Sequence, residues 1–70
     1  MIEHLAERPS WLCRVCGDPW PCEPARKQLA GEMGQTQLVI YGWEQFEEAS
    51  GDMPTAPVGE LLARFVGWTR

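Results

Sequence analysis

Seventy residues hold at most one small domain, and a core of that size stabilises a fold only thinly without a metal, disulfides or a partner. Apolar residues make up 44% of the chain, with four tryptophans among them, which excludes a disordered tail. The net charge of −4 argues against general affinity for nucleic acid or anionic membrane.

The first zone, residues 1–24, is irregular. "MIEHLAERPS" has acids where a secretory leader carries bases, and no apolar run follows, so a cytoplasmic location is expected. No stretch approaches the roughly 18 apolar residues of a membrane span. A short helical turn fits residues 2–7. Beyond it Pro9, Pro19, Pro21 and Pro24 bias their predecessors to extended backbone and forbid long helices.

Residues 25–70 read as helical. "PARKQLAGEMG" predicts a helix over 24–33: Pro24 suits a first turn, and Ala25, Leu29 and Met33 share one face. Gly34 is its expected stop. "TQLVIYGWEQFEEASGD" predicts a second helix over 35–50, with a strand at 36–41 as the alternative. Its stripe is Val39, Trp43 and Phe46, flanked by Leu38, Tyr41 and Gln45. Gly42 is a weak spot costing about 1 kcal/mol against Ala. "GDMPTAP" reads as a loop in which Thr55 caps a third helix over 57–68, with Pro57 in its first turn. That helix puts Leu61, Leu62, Phe65, Val66 and Trp68 on one broad face. The fold class expected is small and mainly α: a metal-stapled, proline-rich N-terminal loop packed on two or three short helices, all one domain.

The chemistry is concentrated in "WLCRVCGDPWPC". Cys13 and Cys16 form a C-x2-C pair followed by Gly17, the shape of a zinc knuckle. Such a tight turn brings two thiolates onto one ion, and glycine permits the backbone it needs. Cys22 follows a loop stiffened by two prolines. His4, the single histidine, completes a Cys3His set of His4, Cys13, Cys16 and Cys22. One Zn²⁺ per chain would leave the site about −1, which Arg8, Arg14 and Arg26 are near enough in sequence to offset. Glu7, Asp18, Glu23 or water are the other candidates for the fourth position. Three buried free thiols, or a thioredoxin-type redox pair, are alternative uses of the cysteines. No strand precedes the pair and no proline lies inside it, which weighs against the redox motif.

The spacing Cys-x2-Cys-x5-Cys resembles the last three ligands of the WhiB-like iron–sulfur proteins, and that resemblance implies an iron–sulfur cluster in a redox-linked transcriptional regulator. It is confined to Cys13, Cys16 and Cys22; the upstream cysteine of that family has no counterpart, and Gly42-Trp43 only faintly echoes its glycine–tryptophan turn. A longer resemblance runs over "ERPSWLCRVCGDPWPCEPARKQLAGEMG". Arg8-Pro9-Ser10-Trp11, the Cys13/Cys16 pair, Pro19-Trp20-Pro21-Cys22 and Pro24-Ala25-Arg26 are similar to the pattern of a group of short actinobacterial zinc-finger-like proteins, and "RFVGWTR" resembles their tails. It implies a small zinc-finger-like protein and no particular activity.

Trp11 and Trp20 bracket the cysteines and are expected to wall the site and join the core; an exposed pair gripping a ligand is the sharper reading. Trp43, Phe46, Phe65 and Trp68 are expected in the core. Glu44, Glu47 and Glu48 form a solvated helix face, or an acidic surface for a basic partner. Arg14, Arg26 and Lys27 are a thin basis for phosphate contact. No enzyme is predicted: there is no Ser/His/Asp set, no second histidine, no glycine-rich phosphate loop, no H-E-x-x-H and no zinc-deaminase pattern. The expectation is a zinc-binding interaction module whose partner is another protein.

Overall fold

The computed structural model describes residues 4–69. Among them, β1 (Ala6–Glu7) and β2 (Leu12–Cys13) precede α1 (Glu23–Glu32), α2 (Gln35–Asp52) and α3 (Val58–Phe65), and a 3₁₀ turn at Gly67–Thr69 closes the chain. The molecule is mainly helical, with its N-terminal loop region laid on the helices, as the sequence predicts.

The two strands pair antiparallel, Ala6 with Cys13 and Glu7 with Leu12. The helical turn expected at residues 2–7 is therefore replaced by extended backbone over Ala6–Glu7, and Met1 to Glu3 lie outside the described residues. A single isolated turn fixes several residues for one hydrogen bond. The hairpin offers more, including Arg14 N–H to the Leu5 carbonyl at 2.9 Å. The Arg8–Pro9 and Trp20–Pro21 peptide bonds are cis.

α1 lies where proline and apolar spacing put it, and buries Ala25 and Leu29. α2 is one continuous helix, so the alternative strand at 36–41 does not form. Its inner face differs from the expected stripe. Leu38, Gly42 and Ala49 are the buried positions, with Gln45 between them half-buried, and Trp43 stays 43% exposed. The spacing is the same helical period shifted by one residue, and two of its members are small. Their size lets α3 lie against the α2 backbone. A Cβ on Gly42 would stand 2.5 Å from the Phe65 carbonyl oxygen and 3.2 Å from Thr69 Cγ2. Gly42 is thus a packing requirement rather than a weak spot.

α3 begins one residue later than expected and ends at Phe65, three residues early. Thr55 does not cap it. Pro57 occupies the N-cap position, where its carbonyl accepts from Leu61 N–H at 3.1 Å. Past Phe65 the chain tightens, and the Thr69 hydroxyl donates to the Val66 carbonyl at 2.6 Å. Leu61, Phe65 and Val66 are buried, while Leu62 and Trp68 are only partly covered.

The largest core side chains come from both ends of the chain. Trp11 and Trp20, at 1% and 3% exposure, pack with Phe65. The Trp11 ring stands edge-on to Phe65 at 5.3 Å, and Trp20 lies 6.2 Å from Phe65 and 6.4 Å from Tyr41. The proline-rich loop, which supplies Trp11, Cys13, Trp20 and Cys22, is therefore part of the core and not an appendage to it. Buried indoles contribute large apolar areas, which a chain this short needs.

Candidate metal centre

Three backbone devices gather the cysteines. Cys13 ends β2, and the next residues turn sharply: Gly17 N–H donates to the Cys13 carbonyl at 2.9 Å, and Cys16 N–H points at Cys13 Sγ at 3.4 Å. Gly17 makes this turn at φ +77°, the left-handed region that a side chain disfavours. The Asp18 carbonyl then accepts from Cys13 N–H at 2.7 Å, bringing the chain back. Cys22 sits at the N-cap of α1, where the helix start favours negative charge.

His4 meets this set from the other side. Its Nδ1 lies 3.3 Å from Cys13 Sγ, 3.2 Å from Cys16 Sγ and 3.4 Å from Cys22 Sγ. All four ligand atoms fall within 4.8 Å of one another, so His4, Cys13, Cys16 and Cys22 form a group able to hold one metal ion. The donor chemistry, three soft sulfurs and one imidazole, fits a borderline-soft tetrahedral ion. Cys13 and Cys22 are buried, His4 is half-buried and Cys16 is exposed, so the cluster is closed on the core side and open at the knuckle.

Burial pushes the Cys13 thiol up, but the N–H groups of Cys16 and Val15, with His4 and Cys22, outweigh it and hold Cys13 near 6. Desolvation raises Cys16 to about 11, and bonding to Cys13 and Cys22 and their charge act in the same direction. One sulfur is thus ready as thiolate at neutral pH, and a metal bound there would displace the Cys16 proton to solvent.

Contacts without a local signature in the sequence, two of them centred on Arg64 and Asp52, hold the site in place. The Trp20 indole N–H donates to the His4 carbonyl at 2.8 Å, so the indole that walls the core also anchors the histidine. Arg64, from α3, donates Nε to the Trp20 carbonyl at 2.7 Å and Nη2 to the Trp11 carbonyl. Burial pulls its pKa below the ordinary value. Asp52, at the end of α2, accepts from Arg8 Nε at 2.6 Å and from the Trp11 indole at 2.8 Å. Arg8 and then Trp11 hold its carboxyl below the usual range. Trp11 itself adopts φ +58°, and these contacts at both ends of the residue fix that conformation.

The cations expected to offset the cluster are placed differently. Arg8 is committed to Asp52, with Glu48 at 3.7 Å. Arg26 remains beside the site, donating to the Pro21 carbonyl at 2.9 Å and lying over the Trp68 ring. Arg14 is exposed on the knuckle.

No family model, curated protein or solved structure matches this chain. None of the helices among the described residues is long and apolar enough to cross a membrane.

Proposed function

We propose that this chain is a zinc-stapled, non-enzymatic interaction module of the cytoplasm, with one Zn²⁺ held by His4, Cys13, Cys16 and Cys22. The observation that carries the reading is the convergence of four ligand atoms within 4.8 Å, contributed by a hairpin, a knuckle and a helix start. A single tetrahedral ion with bonds of about 2.0–2.3 Å sits naturally inside such a group. An iron–sulfur cluster interposes several atoms between its cysteines and draws them further apart, and it usually takes four of them. The Cys3His donor set favours zinc on both counts.

The role of the metal is structural. It joins the hairpin turn that carries Trp11 and the loop that carries Trp20, and both indoles then fill the core against Phe65. Binding energy for such sites, on the order of 10–16 kcal/mol in zinc-finger peptides, becomes folding energy. A four-ligand site leaves no open position for chemistry, which agrees with a binding module rather than a catalyst.

Native mass spectrometry of anaerobically purified protein, with elemental analysis, tests the reading. One zinc per chain and no sulfide is the expected result. Iron with sulfide would overturn it and favour a redox-linked regulator. A salt-sensitive shift on DNA would argue for the same alternative.

A further inference from the structure

We propose that the metal site is a peroxide-responsive switch: Cys16 takes the oxidising hit, closes a disulfide with Cys13, and the site gives up its ion. This deepens the zinc-stapled reading above and rests on it. Zinc does no redox chemistry and its four positions are filled, so the reacting atoms are the ligand sulfurs themselves.

The three sulfurs are unequally placed. Cys13 and Cys22 are buried, at 3% and 5% exposure, whereas Cys16 is exposed. Its neighbours in the knuckle leave it open. Arg14 and Asp18 are exposed, Val15 is 62% exposed, and a Cβ on Gly17 would meet nothing within 4 Å. A small oxidant therefore reaches one sulfur from solvent and the other two only after the core opens. An exposed thiolate beside a second cysteine that can resolve it is the arrangement that favours reversible thiol oxidation.

The geometry also selects the resolving partner. All three sulfurs lie within 4.8 Å of one another. Cys13 and Cys16 flank a single turn, and Cys16 N–H already points at Cys13 Sγ at 3.4 Å, so little backbone movement brings these two to bonding distance. Cys22 is tied down. It caps α1, its carbonyl accepts from Arg26 N–H at 2.9 Å, and Arg26 Nε holds the adjoining Pro21 carbonyl at 2.9 Å. Drawing Cys22 towards Cys16 would pull on the helix start, so Cys22 stays a single thiol.

The steps balance with hydrogen peroxide as the oxidant. The Cys16 thiolate attacks one peroxide oxygen: the S–O bond forms, the O–O bond breaks, and the departing hydroxide takes a proton from solvent. The Cys13 thiolate then attacks the Cys16 sulfenic sulfur: the S–S bond forms, the S–O bond breaks, and a second hydroxide is protonated. Two thiolates thus give two electrons to one peroxide, which with two protons leaves as two waters. Only His4 and Cys22 remain as ligands, too few for a tetrahedral ion. The His4 carbonyl also holds the Trp20 indole, so losing the ion loosens the loop from the core. A thiol reductant reverses the disulfide by exchange.

The test uses the full chain, purified anaerobically and shown by native mass spectrometry and elemental analysis to carry one zinc. A chain without zinc overturns the metal reading and the switch together; a chain that carries zinc but resists peroxide overturns the switch alone. Hydrogen peroxide is the probe, and freed zinc is read with a colorimetric chelator too weak to strip the untreated protein. One zinc should be freed per peroxide consumed, and the chain mass should fall by two hydrogens. Peptide mapping should find Cys13 joined to Cys16 with Cys22 still alkylatable, and dithiothreitol with zinc should restore the starting state. Dimedone present with the peroxide should trap the sulfenic acid on Cys16. Cys16→His keeps a fourth ligand without the exposed sulfur and should slow release on the order of tenfold. Should that variant fail to fold, the dimedone adduct and the disulfide map of the parent carry the test. The proposal is overturned by unslowed release from a folded Cys16→His protein, by a first adduct on Cys13 or Cys22, by a disulfide that includes Cys22 or joins two chains, or by zinc freed with all thiols intact.

Discussion

Gly42→Ala is the most informative single change in this fold, because local and tertiary physics assign it opposite signs. In an isolated helix the substitution would stabilise by about 1 kcal/mol. Here the new Cβ would stand 2.5 Å from the Phe65 carbonyl oxygen, where the obstacle is backbone and cannot rotate aside. Relief requires α3 to retreat by roughly 0.7 Å or more toward ordinary contact distance, loosening packed side chains along α2 and α3 at a cost of about 1–3 kcal/mol. The net expectation is a loss of up to about 2 kcal/mol, centred near 1. Gly51→Ala is the internal control: it lies on the same helix, and a Cβ there meets nothing within 4 Å. That change should stabilise by about 0.4–1 kcal/mol. Each kcal/mol is worth roughly 4–8 °C of Tm in a domain this size, so at the centre of these ranges the two variants should separate by about 7–14 °C. Thermal and urea unfolding followed by far-UV circular dichroism measure this, with free zinc held constant because bound metal adds to apparent stability. A Gly42→Ala protein as stable as Gly51→Ala would refute the close approach of α3 to the α2 backbone.

Cys16→Ser removes a ligand from an exposed position and almost no packing, so its effect reports the metal. It should abolish stoichiometric zinc and unfold the helices, as should a strong chelator; helical circular dichroism that survives either treatment would contradict a structural role. Arg64→Gln should cost about 1–3 kcal/mol by withdrawing a charged donor from the Trp11 and Trp20 carbonyls, read from urea midpoints. Arg64→Lys should rescue little, since one ammonium cannot reproduce a two-pronged contact. Asp52, held low by Arg8 and Trp11, contributes stability that is present above its unfolded pKa of about 4 and is lost as pH falls through the lower folded value. The stability difference between the parent and Asp52→Asn should therefore shrink in acid, and a difference that stays constant down to pH values below the folded pKa would remove Asp52 from the account.

What could be read in advance was whatever depends on near neighbours in the chain. Proline positions and apolar spacing delimited α1 and α2 to within two residues, and donor types at C-x2-C spacing picked out four groups that the fold does bring together. The failures share one cause. Trp43 looked like core because size was taken as the mark of an inner face, whereas the inner face of α2 is marked by small residues that matter only once α3 lies against them. Arg64 and Asp52 carry no local signal at all; their partners are Trp11 and Arg8, more than 40 residues away in each case. Thr55 had the chemistry of a cap but not the backbone position, which Pro57 took.

The link from Arg64 back to Trp11 crosses 53 residues, and this orders events on the ribosome. The four candidate ligands fall within 19 residues, so they emerge close together and can capture an ion while synthesis continues. Trp11 and Trp20 cannot leave water until Phe65 and Arg64 follow, at least 44 residues later. A nascent chain stalled after α2 would therefore present a formed metal loop with two bare indoles, a species recognisable to chaperones and proteases and absent from the finished protein.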